Sequence, residues 1–269
     1  MKVQKAYDKL ILKARRGAGF LLTSAAVLLI MECNKSEKER DSMNGKDLPT
    51  DTQNTETFQE IGFFGEIKRD CWDEFLAAVQ KNIAHSREEP GNLCFSLYIP
   101  EEGTPAPIWF ERFTGKAAHE YHKRQPYFRD AIAVIQKSVV GEPVGITLRE
   151  VCEIPATVPP RADNPKTSHY GITLYEVPLY KRQSFIAAVK ELITQSRDLK
   201  MNLEANIYQY ADDPKRFVLI QGWTGIGESQ SGSAQDLEKR FNPTVEGYFV
   251  CHPAVIHWSV KDISTDYSQ

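Results

Sequence analysis

Phe75-Leu-Ala-Ala-Val-Gln-Lys-Asn-Ile-Ala-His-Ser-Arg-Glu-Glu-Pro-Gly-Asn-Leu-Cys-Phe-Ser-Leu-Tyr98 returns 110 residues later as Phe185-Ile-Ala-Ala-Val through Arg197 to Asn202-Leu-Glu-Ala-Asn-Ile-Tyr208. Of the 24 aligned positions, 10 are identical without a gap. The register runs on to Thr114-Gly115 against Thr224-Gly225, and back to Glu66 against Glu176. A fixed internal period decides the domain count before any fold is drawn. Two copies are too few, and too long, for a solenoid. They predict a pair of packed domains of about a hundred residues each, an ordinary domain size.

Working outward, 269 residues suffice for two such cores. A net charge of −3, with both signs mixed along the chain, leaves no electrostatic footprint for nucleic acid. The five cysteines, at positions 33, 71, 94, 152 and 251, have no metal-like spacing and read as free thiols.

Ahead of the repeat, residues 1–33 carry six Lys and Arg up to Arg16, then an apolar run from Gly17 to Met31, then Glu32-Cys33. That order is expected of an export signal, and the run is short for a membrane span. Cys33 resembles the lipid-attachment cysteine of bacterial lipoproteins, although Glu32 stands where that pattern has a small residue. A retained membrane anchor and a true start at Met31 or Met43, which would make the protein cytoplasmic, stay open. Residues 34–57 hold too few large apolar side chains to offset their ordering entropy and read as a tether.

The first copy spans 58–154. A strand over 58–67 leads to a helix over 70–86, marked by Trp72, Phe75, Leu76, Val79 and Ile83 at helical spacing. Glu88-Glu-Pro-Gly91 stops that helix. Strands over 92–99 and 108–113 follow, then a helix over 115–124 with Thr114 as its expected N-cap. Pro126 divides it from a second piece over 127–137, and a strand over 144–154 closes the copy. The order β-α-β-β-α-β is ferredoxin-like, an α+β fold with an antiparallel sheet and helices on one face. A proline-rich linker over 155–168 leads to the second copy, 169–263. There the expectation is strands at 170–178, 202–210, 216–223 and 254–263, with helices at 181–197 and, less sharply patterned, at 233–250.

The turn Glu89-Pro-Gly91 feeding a strand, then Phe110-Glu111-Arg112-Phe113, His122 and Pro126-Tyr127-Phe128 at the spacing they have here, resembles the antibiotic biosynthesis monooxygenase domain of the dimeric α+β barrel superfamily. The likeness covers 58–154, and reaches the second copy only through the repeat. Phe113 stands where the family has tryptophan, and the second copy supplies Trp223 there. In that copy Gln221 and Gly232 replace Glu111 and His122, so only the first copy is a candidate site.

The resemblance implies two sheets closed against each other. Two tandem copies can do this within one chain, as an intramolecular dimeric α+β barrel and an internal pseudo-dimer. It also implies a cofactor-independent monooxygenase that uses neither metal nor flavin: a small aromatic or quinol-like substrate is deprotonated and itself passes an electron to O2. Alternation along the strand puts Trp109, Glu111 and Phe113 on one face, and His119 and His122 share a helix face. A histidine suits proton abstraction because its unperturbed pKa is about 6.5, so His122 is the expected base or substrate-orienting group, and Glu111 would fix its imidazole or a neighbouring arginine. Trp109, Phe113, His119 and Phe128 would line the substrate. Each of these types also fits a purely structural role. A non-catalytic, ligand-binding or scaffold member of the family is therefore the alternative. Haem degradation comes behind both, since the branch concerned uses an asparagine on the first strand and 58–67 has none.

Overall fold

The computed structural model describes residues 56–103, 106–160, 167–225, 241 and 255–265. The leader, Cys33, most of the tether, Gly232 and the helix expected at 233–250 (Phe241 excepted) lie outside the described residues. No described helix is long and apolar enough to cross a membrane.

In the first copy the elements are β1 (Phe58–Phe63), β2 (Glu66–Ile67), α1 (Trp72–Ser86), β3 (Asn92–Pro100) and β4 (Ile108–Phe113). Then come α2 (Lys116–Lys123), α3 (Pro126–Ser138), β5 (Val139–Val140) and β6 (Val144–Glu150). The second copy has β7 (His169–Glu176), α4 (Arg182–Arg197), β8 (Asn202–Tyr210), β9 (Arg216–Trp223) and β10 (Val255–Asp262). The apolar stripe of α1 does what its spacing predicts: Phe75, Val79 and Ile83 are buried against Phe95, Leu97 and, from α3, Ala131 and Ile135. Pro126 opens α3 as its first residue, where its missing N–H costs nothing.

Each copy forms an antiparallel four-stranded sheet, ordered β6-β1-β4-β3 in the first and β10-β7-β9-β8 in the second. The last strand of each copy pairs with the second strand of the other, at Lys261 opposite Ile99 and at Arg149 opposite Gln209. The eight strands thereby close into one barrel, so neither sheet keeps a bare edge. Inside, aromatic pairs bridge the copies: Phe63 with Trp258 at 5.8 Å, Tyr98 with Tyr170 at 5.4 Å, and Phe110 with Tyr208 at 5.2 Å between ring centres.

Four details differ from the sequence expectation. Thr114 is not a cap: α2 begins behind Gly115 without a side-chain cap, while the Thr114 N–H bonds the carbonyl of Gly91. The N-terminal turn of α1 is a 3-10 segment over Arg69–Cys71. β6 ends at Glu150, and Val151 and Ile154 instead enter the apolar core beneath α4 of the second copy. Finally, Glu60 lies opposite Glu111 whereas Gly171 lies opposite Gln221. The first strands therefore correspond at an offset of 111 (Glu60 to Gly171), one residue more than the 110 that holds from α1 through β4.

Candidate active site

On β4, side-chain alternation sends Phe110 into the barrel and Trp109, Glu111 and Phe113 toward the helices, as read from the sequence. The register across three strands sets Phe95 of β3, Glu111 of β4 and Glu60 of β1 in one row. Phe113 lies opposite Phe58 in the next row, and Trp109 opposite Gly62. A side chain at Gly62 would overlap the Trp109 ring at 1.9 Å, and one at Gly145 would sit 2.7 Å from the Glu60 carboxyl. These neighbouring glycines leave bare backbone on which the indole and the carboxyl lie. The Trp109 indole lies beside Glu60, where it favours the charged carboxyl. Burial first, and the negative charge of Glu111 second, push the Glu60 carboxyl up to about 8, with Lys123 opposing.

Helix α2 brings both histidines over this surface, and both are buried. His119 Nε2 lies 3.4 Å from Glu111 Oε1. Its ring stacks on Phe58 with centres 3.8 Å apart and meets Phe113 at 5.4 Å.

His122 has no solvent exposure. Its Nδ1 lies 2.8 Å from Oε1 of Glu89, the same oxygen that accepts the Tyr127 hydroxyl. Facing a carboxylate, Nδ1 carries the hydrogen, which leaves Nε2 with the lone pair in the neutral ring. Nε2 has no hydrogen-bond partner. The ring is walled by Phe128 at 5.1 Å, Phe113 at 5.4 Å and Phe95 at 5.8 Å.

All six residues expected from the sequence thus fall on the helix-facing side of the first copy's sheet, but the pairing differs. Glu111 meets His119, and the carboxylate on His122 is Glu89. Glu89 sits in the Glu-Glu-Pro-Gly turn, which the sequence marked as a helix stop and as part of the family motif, without giving this carboxylate a partner. Glu60 was also missed. Its one sequence signal is its place on β1, which needs the strand register to become visible. In the second copy the matching sheet positions hold Gly171, Leu219 and Gln221 for Glu60, Trp109 and Glu111, so this surface has no counterpart of the acidic pair.

Residues 61–134 match the family model of the antibiotic biosynthesis monooxygenase domain. Over 90 residues, 33% of this chain, the sequence is 32% identical to an uncharacterized protein of Synechocystis sp., of which it spans only 59%. It is 28% identical over 90 residues to YcnE of Bacillus subtilis, a candidate monooxygenase, and covers 92% of that protein. Among solved structures, a candidate monooxygenase of Fusobacterium nucleatum superposes with a TM-score of 0.70 at 13% identity, over 78% of this chain and 94% of its own. One of Lactobacillus acidophilus gives 0.65 at 16% identity, over 77% and 94%. At such identities these two establish the fold alone, and each of them runs through both halves of the barrel.

Proposed function

Because residues 61–134 are an antibiotic biosynthesis monooxygenase domain, we propose that this chain is a monooxygenase oxidising a small aromatic or quinol-like molecule with O2, at the helix-facing site of its first half. The carrying observation is the Glu89–His122 pair. One imidazole nitrogen is held by a buried carboxylate, and the other is unpartnered among Phe95, Phe113 and Phe128. A carboxylate that fixes the tautomer leaves the far nitrogen ready to take a proton.

In this reading His122 Nε2 removes the acidic proton of an enol or phenol. The resulting anion gives one electron to O2, and the radical pair joins as a carbon-bound peroxide. Loss of water from it leaves a carbonyl, so that a CH2 and O2 become C=O and H2O. Phe113, Phe128 and Trp109 offer flat apolar faces to the ring. His119, tied to Glu111, completes the wall.

The test is oxygen uptake with anthrone as probe. His122→Ala is expected to lower turnover by about 10²-fold or more, the usual worth of a positioned base, and His119→Ala far less. Equal rates in wild type and His122→Ala would refute the assignment. The complete burial of His122 favours a second reading, a ligand-binding member without turnover. That reading expects no oxygen uptake, but saturable quenching of Trp109 fluorescence by anthrone.

A further inference from the structure

The reaction above has a base but no donor for the proton that must reach the departing oxygen when the peroxide collapses. Two carboxyls share the helix-facing surface, Glu111 and Glu60, directly opposite on paired strands. Like charges so placed cannot both ionise cheaply. Glu111 has a cationisable neighbour in His119 at 3.4 Å. Glu60 has the Trp109 indole beside it, with Lys123 of α2 as the opposing charge. From β6, Gly145 and Thr147 bring no charge at all. An indole N–H can only donate, so whichever Glu60 oxygen faces Trp109 serves as an acceptor and the acid hydrogen sits on the other. The Gly145 backbone beneath leaves no room for a side chain that would displace this carboxyl.

We propose that Glu60 is the proton donor of this site and protonates the departing oxygen as the peroxide O–O bond breaks. His122 first returns the proton it took from the substrate to the peroxide anion, which gives the hydroperoxide. In the collapse the C–H electron pair forms the new C=O bond and the C–H proton goes to His122. The O–O electrons leave with the outer hydroxyl, which takes the Glu60 proton and departs as water. Proton return from His122 restores Glu60 for the next turnover. The proposal rests on the monooxygenase reading, whose own test is the loss of turnover in His122→Ala.

The experiment compares wild type, Glu60→Gln and Gly145→Ala in two ways. With anthrone, Glu60→Gln is expected to keep consuming oxygen while quinone formation falls about 10²-fold and peroxide appears in solution. Gly145→Ala, which keeps the acid but displaces it, is expected to do the same more weakly. Wild-type quinone formation should decline as pH rises through about 8, because the donor must be protonated. That limb should be missing in Glu60→Gln. Without substrate, the Trp109 emission, isolated by subtracting a Trp109→Phe spectrum, should titrate with the same midpoint in wild type only. Quinone formation with an unchanged pH profile in Glu60→Gln overturns the proposal and leaves the monooxygenase reading standing. A wild type inert toward anthrone but with the emission titration intact overturns the monooxygenase reading and the donor step together. A flat titration in wild type overturns the neutral carboxyl itself.

Discussion

Glu89 gathers two donors from two different helices, the imidazole of His122 on α2 and the phenol of Tyr127 on α3. Burial and the bond to Glu89 push the Tyr127 hydroxyl up, so it stays a donor across the ordinary pH range. Replacing Glu89 by Ala strands the buried His122 imidazole, and an unsatisfied buried donor costs about 1–3 kcal/mol, while the partly exposed Tyr127 hydroxyl can turn to water. Glu89→Ala is therefore expected to lose roughly 1–3 kcal/mol in urea unfolding, and Glu89→Gln, which keeps one acceptor oxygen, clearly less. The sequence alone put Trp109, Glu111 and Phe113 on their shared face, because strand alternation is local. It could not pair Glu89 with His122, since that contact exists only once α2 folds back over the turn, 33 residues away along the chain.

At the scale of elements, the repeated residues turn out to be the scaffold. Arg87 Nε donates to the carbonyl of Phe95 at 2.9 Å, and Arg197 Nε to that of Ala205 at 3.1 Å, the same clamp of helix end to strand in both copies. The pairing of β3 with β4 shifts register between Asn92 and Cys94, and that of β8 with β9 between Asn202 and Glu204. A bulge at matching places explains why Asn and Leu recur there. Arg197 also reaches Asn206 Oδ1 and the carbonyl of Pro155. Its loss is thus expected to be the costlier: about 1 kcal/mol for Arg87→Ala against roughly 2–3 kcal/mol for Arg197→Ala, measured by thermal unfolding. Helices and strands were legible from periodicity. The bulges, and the diversion of Val151 and Ile154 into the second copy's core, were not, because both depend on what lies across the sheet.

For the molecule as a whole, the barrel interior carries a titrating group that periodicity could not flag. Glu204 is buried there and accepts from Asn206 Nδ2 at 2.9 Å. Burial pushes it up to about 7, with Asp262 adding to the rise and Asn206 and Arg112 opposing it. Unfolded, it would titrate near its usual value of about 4.3. Between these values the folded chain holds a proton that the unfolded chain releases, so stability falls as pH rises through that window and levels off above about 7. Glu60 acts in the same sense up to about 8. Glu150, lowered by its bonds to Thr57, Ala156 and Arg112 despite its burial, acts in the opposite sense and only below the usual carboxylate range. Glu204→Gln is expected to match wild type near pH 5, taken as about the foot of this window. Near pH 8 it should be more stable by about 3 kcal/mol, read from denaturant midpoints at the two pH values.

The strand exchange at β3–β10 and β6–β8 has one more consequence. A barrel made from two separate identical chains must carry every substitution twice, so neither half can lose its chemistry without the other losing it too. Joined in a single polypeptide, the halves are inherited at different positions. The second half holds Gly171 and Gln221 where the first holds Glu60 and Glu111, and still supplies the wall that its sibling leans on. The covalent join is what permits the two halves to differ in this way.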